Sequence, residues 1–219
     1  MRLVLVAGAT GLVGGETVAG LAADPDVAEV RALVRRRLNG EARSPKVREL
    51  VADFDALDAH PEWFRVDQVV CALGTTIRKA GSREAFRRVD YDYPFAVARL
   101  AHAQGARHFL LVGAASADSR SRIFYSRVKG ELEDAVRAVG FAALTIARPS
   151  VLLGPRDERR VGELVMKRVA YLFPAAWKPV HARQVAAALV RAARAGKPGV
   201  EILDNAALRR ERLDLRGAG

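Results

Sequence analysis

Short apolar runs alternate with longer segments of helical periodicity along most of the chain. The runs are too short for helices and fit buried strands at residues 2–7, 27–34, 47–51, 68–73, 108–112 and 142–147. Apolar residues recur at helical spacing between and after these runs, at residues 12–21, 93–103, 128–139 and 182–195. Strands that alternate with helices form parallel sheets covered on both faces. The pattern therefore predicts an α/β fold with a doubly wound parallel sheet.

The pattern loosens after Pro149. The chain then passes through a turn at residues 154–156, a predicted helix over 161–171 and a loop around Pro174 and Pro179. The sequence contains no linker and no internal repeat, so we expect one domain over residues 1–219. Residues after about 150 would then form a small roof on the substrate side. Residues 213–219 carry little apolar content, and we expect them to fray.

Composition places the chain among globular proteins and argues against a membrane partner. The chain has 219 residues, of which 50% are hydrophobic and 28% charged. Its apolar runs are far shorter than the roughly 20 residues that a membrane span requires. The first apolar run is too short for a signal peptide, and Cys71 is the one cysteine. These features predict a cytoplasmic protein with a buried thiol at Cys71.

The charge balance is strongly basic but dispersed. Lysine and arginine together number 36 against 25 acidic residues, which gives a formal charge of +11. Cationic pairs and triplets are scattered along the chain and interleaved with acids, unlike a basic tail or a recognition helix. This scatter favours a solvated arginine-rich surface over a nucleic-acid partner.

A glycine-rich turn joins the first predicted strand to the first predicted helix. Glycines at such a turn let the chain bend tightly, let backbone N–H groups approach a pyrophosphate, and let helix and strand pack closely. The helix N-terminus adds partial positive charge. With a strand before the turn and a helix after it, the spacing predicts dinucleotide binding by Gly8, Thr10, Gly11, Leu12, Val13 and Gly14.

The residues after the second predicted strand favour a phosphorylated cofactor. An NAD-selective fold places an Asp or Glu about 20 residues after the glycines, on the ribose 2′-hydroxyl. This chain has Arg35-Arg36-Arg37 there. Guanidinium groups pair bidentately with a 2′-phosphate, so we predict NADP (NADPH) rather than NAD, bound by Arg35 first and Arg36 second. Asp53, after the third strand, fits an adenine contact or a turn aspartate equally well.

Tyr125 and Lys129 are the candidate acid–base residues. They are four residues apart, which stacks a phenol and an ammonium on one face of a helix. A phenol ionises near pH 10, and a neighbouring ammonium favours its phenolate form. Such a pair can protonate an alkoxide as hydride arrives from a nicotinamide, or accept a hydroxyl proton in reverse.

Together with Arg148-Pro149-Ser150 after the sixth strand, these motifs resemble the atypical short-chain dehydrogenases/reductases with an NAD(P)-binding Rossmann fold. Further stretches are similar to the Tat-interacting-protein-like oxidoreductase branch, among them residues 71–76, 79–81, 88–93, 125–131, 148–153 and 203–205. The resemblance implies that Leu73, Gly74 and Thr75 lie beside the cofactor. It also implies that Tyr125 is the acid–base residue, that Lys129 binds the nicotinamide ribose, and that Pro149 lies near the nicotinamide.

The chain departs from this family at one catalytic position. Relatives place a serine that polarises the substrate carbonyl directly after the fifth strand, where Gly113 stands here. Ser116, nine residues before Tyr125, is the candidate substitute if its loop turns inward. Two hypotheses follow: an NADP-dependent oxidoreductase acting on a small carbonyl or hydroxyl substrate, or a non-catalytic NAD(P)(H)-binding sensor or interaction protein.

The four histidines are widely separated and form no metal motif, so no metal is predicted. Trp177 fits either a packing role or the mouth of a substrate pocket. The family resemblance is compatible with a monomer or a homodimer.

Overall fold

One parallel sheet of seven strands organises the protein. The computed structural model describes residues 1–37, 44–154 and 178–211. The strands of this sheet are β1 (Arg2–Ala7), β2 (Val27–Val34), β3 (Val47–Val51), β4 (Gln68–Cys71), β5 (His108–Val112), β6 (Ala143–Ala147) and β9 (Gly199–Leu203). Their order is β3-β2-β1-β4-β5-β6-β9, and every neighbouring pair is parallel. Two shorter strands, β7 (Leu152–Leu153) and β8 (Val180–His181), pair with each other.

Helices cover both faces of the sheet. The first face packs against α1 (Leu12–Ala22) and α6 (Ala182–Ala195), and the second against α4 (Tyr93–Ala103) and α5 (Phe124–Val139). Alternation along β1 divides the core, because Val4 and Val6 face α1 and α6 while Leu5 faces the other layer. The described residues contain further helical elements: α2 (Ile77–Ala80), α3 (Arg83–Arg87), a π-helical turn (Arg88–Asp92), α7 (Asn205–Arg210) and two 3₁₀ turns, Leu57–Ala59 and Pro61–Phe64.

The winding of the sheet reverses between β1 and β4. From β1 the chain builds β2 and β3 on one side, then returns to place β4, β5 and β6 on the other. Ligands of such sheets bind in the crevice beyond the carboxyl ends of the strands, at this reversal point. All the strands are parallel, so the segments that follow β1 to β6 emerge at the same edge. Every predicted cofactor residue lies in such a segment, in the first turn of α1 or on α5.

The predicted doubly wound α/β fold is confirmed, with small shifts at element ends. β4 ends at Cys71 and β6 begins at Ala143. Helix α5 begins at Phe124, four residues before the predicted start, which places Tyr125 in its first turn. The strand β9 was not predicted. The predicted helix over 161–171, Pro174, Trp177 and residues 213–219 lie outside the described residues.

Neither a membrane-spanning helix nor a metal centre is found in the ranges that the structure describes. None of their helices combines the length and apolarity needed to cross a bilayer. Likewise, no three His, Cys, Asp or Glu side chains of those ranges are grouped as metal ligands.

Candidate functional site

The turn after β1 is built from glycines that the backbone requires. Gly8 has a φ of +87°, in the left-handed region, and its carbonyl accepts a hydrogen bond of 2.9 Å from the Gly11 N–H. A Cβ at Gly8 would lie 2.6 Å from the carbonyl oxygen of Ala72, just after β4. A Cβ at Gly14 would overlap the Gly8 carbonyl. The turn therefore holds its backbone where a side chain has no room, as a cradle for a pyrophosphate requires.

The N-terminus of α1 is open beside this turn. Its N-cap residue, Gly11, offers no side chain to cap the first N–H groups, and Thr10 and Gly11 are exposed. Val13 is buried in the core, which anchors the first turn. Leu12 packs against Gly154, where a Cβ would lie 2.7 Å from its Cδ2 atom. Free N–H groups and the helix dipole suit this end to a phosphate, so the glycine turn and α1 fit a dinucleotide.

Strand register brings the arginines after β2 beside the glycine turn. Ala7 in β1 pairs with Leu33 in β2, so the residues that follow both strands emerge side by side. Arg35 and Arg36 are exposed there, as is Arg37. Their side chains are thus available to a ligand seated on the turn.

Asp53 follows β3 at the same edge. The Ala52 N–H donates a hydrogen bond of 2.8 Å to the Val34 carbonyl, which continues the β2–β3 ladder beyond β3. Asp53 is exposed, and its Oδ1 accepts a hydrogen bond of 3.0 Å from the Asp55 N–H. Asp53 therefore makes the hydrogen bond of a turn aspartate, one of the two roles considered for it, and this bond uses one of its two carboxylate oxygens.

A buried ion pair lies at the end of β4. The Lys129 Nζ reaches from α5 to within 2.7 Å of the Asp90 Oδ1, and the two side chains are 5% and 1% exposed. The other oxygen of Asp90 accepts a hydrogen bond of 2.8 Å from the Thr75 N–H. Gly74 is exposed directly over the pair: a Cβ there would lie 3.4 Å from Asp90 Oδ1 and 3.7 Å from Lys129 Nζ. The structure thus brings the segment 73–75 together with Lys129.

Electrostatics favour the ammonium form of Lys129. Burial alone lowers its pKa, but the Asp90 carboxylate and the nearby Tyr125 oppose burial, and the net pKa lies above the usual lysine value. Cys71, at the end of β4, is fully buried, and burial raises its pKa to about 11. The thiol is therefore protonated at neutral pH and has the packing environment expected of it.

Tyr125 is half-buried in the first turn of α5, one helical turn before Lys129. Its ring packs on Phe86 of α3, with ring centres 5.6 Å apart and an interplanar angle of 43°. Phe86 is fully buried, so it fixes one side of the tyrosine. The four-residue spacing along α5 places Tyr125 and Lys129 on one face of the helix.

The carboxylate of Glu133 fills the space that a serine side chain at position 113 would occupy. A Cβ at Gly113 would lie 2.5 Å from the Glu133 Oε1. Glu133 is 1% exposed and is held by Arg148, whose Nε and Nη2 donate hydrogen bonds of 3.1 and 2.5 Å to its Oε2. The glycine is therefore the residue that this packing allows.

Ser116 lies in the loop after β5. The neighbouring Ala115 N–H donates a hydrogen bond of 2.9 Å to the carbonyl of Pro149, so this loop is tied to the buried proline after β6. Ser116 is half-buried. The fold thus brings Ser116 and Pro149 to neighbouring loops at the carboxyl edge of the sheet.

Sequence reasoning did not identify Asp90 or Glu133 as site residues. Glu133 is four residues after Lys129 and falls on the same buried stripe of α5. A buried acid requires a hydrogen-bonding or cationic partner, so the position of Glu133 on this stripe could have indicated a structural role from the sequence alone. Asp90 lies in a π-helical turn, whose changed periodicity removes any such signal.

A parallel sheet with this reversal point, a glycine cradle and an open helix N-terminus defines a Rossmann-type dinucleotide-binding protein. The chain belongs to the NAD(P)H-binding family, whose model matches residues 8–195. It is 35% identical over 213 residues to Protein HTATIP2 of Rattus norvegicus, covering 94% of this chain and 88% of that protein. It is 31% identical over 177 residues to Protein fmp52, mitochondrial, of Emericella nidulans, covering 76% and 74% of the two chains.

Solved structures agree on the fold. A dTDP-glucose 4,6-dehydratase from Streptomyces venezuelae, the DesIV double mutant with NAD and DAU bound, matches with a TM-score of 0.72 at 19% identity. The match covers 92% of this chain and 74% of that one. With these relatives, the resemblance to atypical short-chain dehydrogenases/reductases is confirmed.

The expected cellular location requires correction. The relative from Emericella nidulans and others from Candida albicans and Aspergillus clavatus are named as mitochondrial proteins. The prediction of a cytoplasmic protein is therefore wrong. It relied on the absence of a secretory signal and on a lone cysteine, and neither feature distinguishes the two compartments.

Proposed function

We propose that the protein is an NADP(H)-dependent oxidoreductase that acts on a small carbonyl or hydroxyl compound. The observation that carries the proposal is the buried Lys129 ammonium, held beneath Gly74 and one helical turn from Tyr125. Tyr125 and Lys129 lie near the carboxyl edge of the sheet, where the glycine turn after β1 also lies. Support for a nicotinamide cofactor comes from the NAD(P)H-binding family match over residues 8–195.

The cofactor contacts are assigned by position along this edge. The turn from Gly8 to Gly14 would bind the pyrophosphate, and Arg35 and Arg36 the 2′-phosphate of NADP(H). Asp53 would accept from the adenine amino group through the oxygen not used in its turn. Leu73, Gly74, Thr75 and Pro149 would line the nicotinamide side.

The proposed chemistry is proton transfer at the substrate oxygen. When bound, a nicotinamide cofactor supplies or accepts the hydride. Tyr125 donates its proton to the oxygen that becomes a hydroxyl, and accepts a proton in the reverse direction. Lys129 would donate hydrogen bonds to the ribose of the bound cofactor. Ser116 would donate a hydrogen bond to the substrate oxygen in place of the serine that Gly113 replaces.

The setting of this activity is also proposed. We infer one domain over residues 1–219, in which residues after about 150 form a roof over a small substrate. The fungal relatives named mitochondrial support a mitochondrial location. The arginine-rich surface does not require a nucleic-acid partner, and a monomer or homodimer fits the proposal.

Substituting Tyr125 tests the assignment directly. In Tyr125→Phe we expect turnover of carbonyl compounds with NADPH to fall by roughly 10²–10⁴-fold, because the proton donor is lost. NADPH affinity should change little, because the ring and its packing on Phe86 remain. Steady-state rates and fluorescence titration with NADPH measure the two quantities. Tyr91→Phe, a half-buried tyrosine outside the proposed machinery, is the matched control. Unchanged turnover in Tyr125→Phe would disprove the catalytic role.

The Glu133 carboxylate beside Gly113 favours a second candidate function, a sensor that binds NAD(P)(H) without turnover. That position has no room for a serine that would polarise a substrate carbonyl. Losing one such donor costs about 10²–10³ in rate. A sensor would bind NADPH tightly, with a change in conformation or assembly, and would oxidise it with none of a broad panel of aldehydes and ketones.

A further inference from the structure

Asp90 occupies an unusual backbone position beneath the proposed cofactor site. It lies in the π-helical turn between α3 and α4, an uncommon conformation that occurs frequently at functional sites. Its side chain is 1% exposed, and each carboxylate oxygen has a separate partner. Oδ1 is 2.7 Å from Lys129 Nζ, and Oδ2 accepts the hydrogen bond from the Thr75 N–H. One carboxylate therefore joins α5 to the segment after β4.

We propose that Asp90 is a positioning residue that keeps the buried Lys129 side chain charged and fixed beneath Gly74, where the ribose of the cofactor is expected. The inference rests on the proposed role of Lys129 at the cofactor and does not require turnover. Asp90 acts through Lys129 and has no contact with the substrate.

The physical reason is the cost of burying an ammonium. A charged group removed from water is strongly destabilised unless an opposite charge and hydrogen bonds compensate it. Among the residues that the structure describes, the titratable side chains that influence Lys129 are Asp90 in the π-helical turn, Tyr125 on its own helix and Cys71 in β4. Phenols and thiols are ordinarily neutral at pH 7. The compensating charge therefore comes from Asp90.

Aspartate and asparagine differ here in charge and in the number of acceptors. Either side chain can accept the Thr75 N–H bond, but only the aspartate supplies a negative charge and a second acceptor oxygen for Lys129. With asparagine at this position, burial would dominate, and Lys129 would release its proton at a lower pH. A neutral amine offers fewer donors to the ribose hydroxyls.

The first test observes Lys129 directly. The chain contains six lysines, so ¹⁵N-labelled lysine side chains give a spectrum that Lys129→Met can assign. In the wild-type protein we expect Lys129 to remain protonated above the ordinary lysine pKa of about 10.4. In Asp90→Asn its titration should move down by about three pH units, into the range of the affinity measurement described next, while the signals of the other lysines stay unchanged. A wild-type Lys129 that titrates below the ordinary lysine value overturns the proposal, even if Asp90→Asn does not fold.

The second test measures NADPH affinity as a function of pH by fluorescence titration. We expect the wild-type dissociation constant to be nearly constant from pH 6 to 9. In Asp90→Asn affinity should fall roughly tenfold over this range, because the ammonium is progressively lost. Asp90→Asn/Lys129→Met should bind weakly at every pH, without the slope. Asp92→Asn, an exposed acid in the same turn, should match the wild type.

The outcomes separate this inference from the proposed function. A flat pH profile in Asp90→Asn, or a slope that persists in the double variant, contradicts the role of Asp90. Absence of NADPH binding in the wild-type protein contradicts the proposed function instead. The lysine titration then still decides whether Asp90 maintains the charge of Lys129.

Discussion

His108 is a buried titratable side chain at the amino ends of the strands, the edge of the sheet opposite the proposed cofactor site. It is the first residue of β5, is 3% exposed, and its Nε2 lies 3.0 Å from the Thr145 hydroxyl. Within the described part of the chain, its Nδ1 has no hydrogen-bond partner. Burial lowers the pKa of His108 to about 4, so the core contains a neutral imidazole.

This histidine should make the protein less stable in mild acid. The unfolded chain binds the proton at the ordinary pKa of about 6.5, and the folded protein only near 4. The neutral His108 therefore makes its full contribution to the free energy of unfolding above pH 6.5. This contribution, up to roughly 3 kcal/mol, is lost as the pH falls towards 4. Urea unfolding at pH 7 and pH 4.5 measures it, and His108→Gln should show a smaller difference between the two. His102→Gln, at an exposed site on α4, should behave as the wild type. Equal pH dependence in all three proteins would contradict the prediction.

Helix α5 carries the chemistry and the structural anchors on one stripe. Tyr125, Lys129 and Glu133 follow one another at four-residue intervals. Lys129 pairs with the turn before α4, and Glu133 with Arg148 after β6. The helix is therefore fixed against two separate segments by buried charges.

Removing the Glu133 charge should loosen this anchor. Glu133→Gln leaves Arg148, whose side chain is 30% exposed, partly able to reach water. We therefore expect a loss of about 2–3 kcal/mol in the free energy of unfolding, less than the roughly 3–5 kcal/mol that breaking a fully buried pair costs. Glu131→Gln is the matched control on the same helix, because its pairs with Arg87 and Arg127 are half-exposed. That change should cost less than about 1 kcal/mol. Urea unfolding measures the free energy of unfolding of both variants. Equal losses in Glu133→Gln and Glu131→Gln would show that the buried pair stabilises the fold no more than the exposed ones.

The sequence was most informative about the central strands. Five of the six predicted strands are central, where parallel strands are rich in buried apolar residues, and the sixth, β3, is an edge strand. The other edge strand, β9, was missed: Val200 and Ile202 are exposed in it, and it begins directly after Pro198. The short helices α2 and α3 have too few residues to show a helical period.

The same contrast holds for the candidate site. The glycine turn and the Tyr125–Lys129 pair are local in sequence, so their spacing reveals their geometry. The contact between Asp90 and Lys129 joins residues of different elements and depends on how α5 packs against the π-helical turn. The Glu133 carboxylate fills the space at Gly113 for a similar reason. No local pattern encodes such contacts.

The whole sheet contributes to the proposed cofactor site. Segments after β1, β2, β3, β4 and β6 supply its residues, together with α5, and both core layers support these elements. A ligand that binds only the assembled edge stabilises the whole fold by mass action, by about 2.7 kcal/mol at a concentration 100 times its dissociation constant. For a domain of this size, that corresponds to roughly 5–10 °C in melting temperature.

This linkage offers a test of cofactor choice. At equal concentration NADPH should raise the melting temperature more than NADH, because Arg35 and Arg36 can pair with the 2′-phosphate. In Arg35→Ala/Arg36→Ala we expect a loss of roughly 2 kcal/mol in NADPH binding, which reduces the stabilisation at that concentration to under about 1 kcal/mol. The shift with NADH should be unchanged. Arg37→Ala, the next exposed arginine, is the control and should retain the wild-type difference. Because Arg35 and Arg36 are exposed, added salt should weaken their pairing with the 2′-phosphate. The difference between the melting-temperature shifts with NADPH and NADH should then become smaller. Equal shifts with NADPH and NADH in the wild-type protein would contradict the NADP preference and leave the glycine cradle as the determinant of binding.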